Sequence, residues 1–164
     1  MTTGKALSVL FVCLGNICRS PTAHGVFLRL IEEAGLEGRV AVDSAGTAAY
    51  HIGKAPDPRT REAAVRRGYD LSALRARQVE PEDFQRFDYI LAMDNSNLAD
   101  LRDLAPAGGR ARVQLFLEFA GSGAPSEVPD PYYGGADGFD QVLDLVEGAA
   151  RGLLVEINQR LQRL

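Results

Sequence analysis

Cys13 and Arg19 stand six positions apart in the run Cys13-Leu14-Gly15-Asn16-Ile17-Cys18-Arg19-Ser20-Pro21. A thiol and a guanidinium bracketing a tight turn suggest a nucleophile inside an anion receptor. Consecutive backbone N–H groups of such a turn, leading into a helix N-terminus, form a concave anion site. Gly15 and Asn16 are residue types that tolerate the left-handed backbone a cradle of this kind needs. The planar fork of Arg19 can bind two phosphate oxygens at once. The positive field that holds a phosphate also favours a thiolate. The pattern therefore points to in-line attack of the Cys13 sulfur on the phosphorus of a monoester.

A leaving alkoxide or phenolate needs a proton, and the water that follows must lose one. The two histidines, His24 and His51, read as surface or packing residues. Asp130, in Val128-Pro129-Asp130-Pro131-Tyr132-Tyr133-Gly134, is the better candidate. Its flanking prolines stiffen a loop, and the tyrosines can stack on an aryl group. Residue types alone leave it open between a general acid and an Asp-Pro turn beside core tyrosines. Cys18 is equally open, as a small packing residue or half of a reactive pair. Neither a four-ligand zinc site nor metal-ligand spacing to the histidines is available, so no metal is expected. The chain lacks G-x-x-x-x-G-K-[ST], and no G-x-G-x-x-G follows the first apolar run.

The elements around this turn are legible from patterning. Ser8 to Cys13 is short, apolar and strand-like, and Ser20-Pro21 suits a helix start with Ser as N-cap. Val26, Phe27, Leu30 and Ile31 recur at helical spacing up to Gly35. Further strands are expected at Val40–Asp43, Tyr89–Met93 and Val113–Phe119. Helices are expected at Arg59–Arg67, Pro81–Phe87 and Asn95–Leu104. Gly121 to Gly138 reads as loop. Phe139, Val142, Leu143, Val146, Leu153, Leu154, Ile157 and Leu161 line one stripe of a long C-terminal helix. Alternating strands and helices predict an α/β fold: one domain over residues 1–164, a four-stranded parallel sheet with helices on both faces, and a phosphate-binding loop after the first strand. Ligands of such sheets bind at the carboxyl ends of the strands.

With 46% apolar and 24% charged residues the composition is that of a globular protein, and no apolar run is long enough for a membrane helix. A net charge of −4 without a basic run argues against nucleic acid. No signal-peptide pattern opens the chain, so a cytoplasmic location is expected.

Taken together, Val12 to Pro21 and Asp130 to Gly134 resemble the low-molecular-weight protein-tyrosine phosphatase family. Asp43-Ser44, Pro56 to Arg59, Arg75 to Gln78, Asp88 to Ile90 and Met93-Asp94 resemble its landmarks in order. The resemblance implies a cofactor-free reaction of two steps on a phosphotyrosine-containing protein, through a phosphocysteine, with inorganic phosphate as product, in a monomer or weak dimer. Cys13, Arg19 and Asp130 would be nucleophile, phosphate ligand and general acid. Ser20 would bond the sulfur, Asn16 would hold the loop with Ser44 as partner, and Cys18 could pair reversibly with Cys13. Leu14, Ile17, Tyr50, Tyr132 and Tyr133 would wall the pocket. Two positions depart from the family pattern: Leu74 stands where many members carry a histidine, and His24 where an acid is usual. Arsenate reduction on the same scaffold would need a third cysteine, and phosphoarginine phosphatases tend to have Thr in place of Ile17. A silent phosphopeptide-binding module would not need both Cys13 and Asp130.

Overall fold

The computed structural model describes residues 5–132, 134, 135 and 137–164. Four strands, β1 (Leu7–Cys13), β2 (Val40–Gly46), β3 (Tyr89–Ala92) and β4 (Arg112–Leu115), form one sheet in the order β2-β1-β3-β4. Every pairing is parallel, with Phe11 opposite both Ser44 and Leu91. The chain first moves outward from β1 to β2 and later returns to β3 on the other side. The carboxyl ends of β1 and β3 therefore flank the point where strand order reverses, the crevice in which such sheets bind ligands.

A central parallel strand is covered on both faces, and β1 is apolar accordingly. Leu7, Val9, Phe11 and Cys13 enter the core beneath α1 (Arg19–Glu33), α2 (Pro58–Arg66) and α5 (Asp137–Gln162). Leu10 and Val12 enter a smaller core under α3 (Asp83–Arg86) and α4 (Asn95–Leu104). Phe11 meets Phe27 and Phe116 edge-on, with centroids 5.8 and 5.0 Å apart. That arrangement adds to simple area burial. The stripe expected along α5 is buried, apart from a half-buried Leu154. No described helix is long and apolar enough to cross a membrane.

Most boundaries shift by one or two residues from the sequence expectation, and three differences bear on the core or the loop after β1. β2 runs on to Gly46, because Ser44, Ala45 and Gly46 continue the ladder with Phe11, Val12 and Cys13. β4 stops at Leu115, and Phe116–Ala120 form a 3-10 turn. Phe116 and Leu117 are both buried, which a turn tucked under α5 allows. Finally, α1 begins at Arg19, so its N-cap is Cys18 and not Ser20.

The 3-10 turn lies directly against α5. A Cβ on Gly152 would stand 1.8 Å from the carbonyl oxygen of Phe119. Gly152→Ala is expected to destabilise the fold by about 1–3 kcal/mol through overpacking, even though Ala is favoured over Gly by roughly 1 kcal/mol in a helix interior. Urea denaturation checks this; a gain in stability would mean the two elements can separate freely.

Candidate active site

The loop after β1 reaches α1 in five residues, and Asn16 makes this possible. It is the one non-glycine among the described residues with a positive φ, +58°. Its side chain is buried and used at both ends. Nδ2 donates to Ser20 Oγ at 2.7 Å, and Oδ1 accepts from the Arg77 amide at 3.1 Å. Gly15 does not share the left-handed conformation expected of it. It is needed for space, since a Cβ there would lie 2.8 Å from Cδ2 of His51. Gly46 serves likewise: its Cβ would be 2.7 Å from the Leu14 carbonyl oxygen.

Ser44 does not partner Asn16. Its Oγ lies 3.0 Å from His24 Nδ1, both side chains buried, and the place expected of Ser44 is taken by the Arg77 amide. Arg77 is itself clamped, to Asp43 at 3.1 Å and to the fully buried Asp83 at 3.0 Å. Nothing in its spacing reveals this role, because the bond comes from its backbone. Burial holds the His24 pKa below its ordinary value, against the opposing charge of Asp43.

Cys13 is buried at the floor of the loop. Its sulfur accepts from the Asn16 amide at 3.3 Å and lies 3.1 Å from Ser20 Oγ. Ser20 already accepts from Asn16, so its own proton is free for the sulfur or for the Ala45 carbonyl, 3.4 Å away. Among the described residues, the N–H groups of Leu14, Gly15, Ile17 and Cys18 meet no protein acceptor. Cys18 is a free thiol like Cys13. Burial pushes its pKa up to about 12, assisted by Asp57, Cys13 and Asp130 and opposed by Thr60, so it stays protonated.

Arg19 is also buried. Its NH1 donates to Asp94 Oδ2 at 2.7 Å and to the Val128 carbonyl at 3.1 Å. Its NH2 lies 3.7 Å from Asp130 Oδ2. Burial works against the charge, but the Cys13 sulfur, Asp94 and Asp130 outweigh it and hold the guanidinium pKa above its usual value. Asp94 was not expected as a site residue. Its position before α4 marks it as an N-cap, which it is through the Asn97 amide at 2.8 Å; its second oxygen serves Arg19.

Cys13, Arg19 and Asp130 meet at one cavity of about 100 Å³, walled by Leu14, Gly15, Ile17, Cys18, Tyr50 and Tyr132. His51 joins this wall, a residue the sequence left as surface or packing. Asn16 and Ser20 support the floor from behind. Asp130 Oδ1 accepts from the Tyr132 amide at 3.0 Å. Tyr133 lies outside the described residues. Among them, no three His, Cys, Asp or Glu side chains are grouped to hold a metal ion.

Residues 8–163 match the family model described as low molecular weight phosphotyrosine protein phosphatase. A protein of that name from Schizosaccharomyces pombe is 52% identical over 145 residues, 87% of this chain and 92% of that one. The crystal structure of a protein tyrosine phosphatase from Entamoeba histolytica with Hepes in the active site superposes with a TM-score of 0.89 at 41% identity, covering 93% and 97% of the two chains. YfkJ from Bacillus subtilis gives 0.89 at 40% identity, covering 97% and 99%.

The lowered pKa of His24 carries a sign for stability. Below about pH 6.5 the unfolded chain binds a proton on this imidazole that the native protein resists. The contribution of His24 is therefore complete above that pH and is lost as the pH falls toward its native value. In urea melts at pH 7.5 and 5.5, wild type is expected to lose more stability than His24→Gln; equal losses would show that burial does not oppose its charge.

Proposed function

Because this chain belongs to the low molecular weight phosphotyrosine protein phosphatase family, we propose that it hydrolyses phosphotyrosine in proteins, and aryl phosphates generally, with Cys13 as nucleophile. The observation that carries this reading is the convergence of Cys13, Arg19 and Asp130 on one small cavity. The sulfur forms an S–P bond as the ester P–O bond breaks, and Asp130 gives its proton to the leaving oxygen. Water then attacks the phosphocysteine, Asp130 takes a proton from it, and the S–P bond breaks to release inorganic phosphate.

Each supporting group has a share in these steps. The loop amides without a protein acceptor suit the equatorial oxygens, whose charge redistributes in the transition state. NH1 of Arg19 is held by Asp94 and Val128, which leaves its Nε–NH2 edge for phosphate. The Ser20 hydroxyl stabilises the sulfur as leaving group in the second step. Ile17, Tyr50 and Tyr132 form an apolar wall that favours a flat aryl group over the guanidinium of phosphoarginine. The proposed setting is the cytoplasm, where thiols remain reduced and Cys13 keeps its nucleophilic form. With a peroxide as oxidant, the Cys13 thiolate would take one peroxide oxygen to become a sulfenic acid, which would then condense with the Cys18 thiol to a disulfide and water.

Cys13→Ser is expected to abolish release of p-nitrophenol from its phosphate while inorganic phosphate still binds; activity near that of wild type would remove Cys13 from its role. Asp130→Ala is expected to lower kcat by roughly 10²–10⁴, least for substrates with acidic leaving groups. Steady-state kinetics across a series of aryl phosphates measures this. A loss that ignored leaving-group acidity would contradict the assignment, and faster turnover of phosphoarginine than of phosphotyrosine would overturn the substrate class.

A further inference from the structure

We propose that Arg59 is a positioning residue for the general acid, fastening the loop that carries Asp130 to the start of α2; this rests on the role given to Asp130 above. Unlike Cys13 and Arg19, which are buried, Asp130 is exposed, its side chain 39% accessible against 3% for Arg19. Its loop is tied to the sheet at the near end, where the Val128 amide donates to the Met93 carbonyl at 2.8 Å. Beyond Asp130, among the described residues, the Arg59 side chain reaches the loop at Tyr132.

The guanidinium of Arg59 makes several contacts at once. It grips Asp57 with two prongs, Nε to Oδ1 at 3.1 Å and NH2 to Oδ2 at 3.0 Å. NH2 also donates to the Tyr132 carbonyl at 3.1 Å. Its Cζ lies 5.3 Å from the Tyr132 ring centroid and 4.9 Å from that of Phe139, within cation–π range of both. Phe139 is buried in the first turn of α5, so one face of the guanidinium rests on a fixed surface.

The contact continues to the acid in one step. Tyr132 accepts from Arg59 through its carbonyl and donates through its amide to Asp130 Oδ1. At the other end, Asp57 caps α2 and its amide donates to the Ile17 carbonyl at 2.9 Å. Beside the Arg19 contacts to Val128 and Asp130, a continuous path thus links the phosphate loop to the acid: Ile17, Asp57, Arg59, Tyr132, Asp130. The Asp57 carboxyl stays ionised to hold it, since Arg59 draws its pKa below the usual range despite burial. A pair two residues apart whose Arg59 side lies open to solvent would by itself contribute little. The reach to a loop 73 residues away gives it consequence.

The test is the kinetics of Arg59→Ala, Arg59→Lys and Arg59→Ala/Asp130→Ala on phenyl phosphate and 2,4-dinitrophenyl phosphate. A misplacement of the acid by about 1 Å can cost up to 10²-fold. Arg59→Ala is therefore expected to lose about 10- to 100-fold in kcat on phenyl phosphate. On the dinitrophenyl ester, which needs no proton, the loss should stay under about threefold, with inhibition by inorganic phosphate unchanged. Arg59→Lys keeps the charge without the fork and should fall between. In the Asp130→Ala background, Arg59→Ala should add no further loss. Equal losses on both esters, or a full extra loss in that background, would overturn the proposal while leaving the phosphatase reading intact. Failure of the wild type to hydrolyse either ester would overturn that reading itself, and this proposal with it.

Discussion

The left-handed backbone at Asn16 is the constraint on which the site end of the sheet depends. β1 must end and α1 must begin within five residues, with the amides of Leu14, Gly15, Ile17 and Cys18 left free of protein acceptors and that of Asn16 turned to the Cys13 sulfur. A non-glycine residue in this conformation is strained by about 1–3 kcal/mol, less for Asn than for most. Two buried hydrogen bonds, to Ser20 and from the Arg77 amide, contribute roughly 0.5–1.5 kcal/mol each and offset it. The loop is therefore held by groups outside itself. Arg77 is fixed by Asp43 and Asp83, and its carbonyl accepts from Gly46 at the end of β2.

A second constraint is electrostatic. A buried guanidinium without a partner would be strongly destabilising. Asp94 supplies the partner and sets the orientation, because one carboxylate both caps α4 and grips NH1. The Val128 carbonyl adds a second acceptor on that nitrogen. The helix after β3 and the loop that carries the acid are in this way coupled to the cation at the end of β1. Cys18, two residues after Asn16, is kept neutral by burial.

Much of the site was legible from residue types. Cys13 and Arg19 could be picked out because a thiol and a planar fork each have a specific chemical use, whereas for Asp130 residue types left a general acid and a simple turn open and only the family resemblance favoured the acid. The parallel sheet followed from alternating strand-like and helix-like periods, and the α5 stripe from its 3.6-residue spacing. Arg77 escaped notice because it acts through its amide, which every residue but proline possesses. Asp94 was hidden by its capping role. His51 read only as a surface or packing residue, and nothing in its type placed its ring against Gly15 in the cavity wall; Ser44 was matched to Asn16, whereas its bond goes to His24.

The sequence by itself determined the order of the elements and the inventory of reactive groups, because periodicity and side-chain chemistry are local properties. Tertiary structure alone decided which groups share a partner. Asn16 meets Arg77, Arg19 meets Asp94, and Arg59 meets Tyr132 across 61, 75 and 73 residues. Pairings at such separations are set by strand order and by which face each helix covers. They arise from the packing of the whole chain, and no short stretch of residues encodes them.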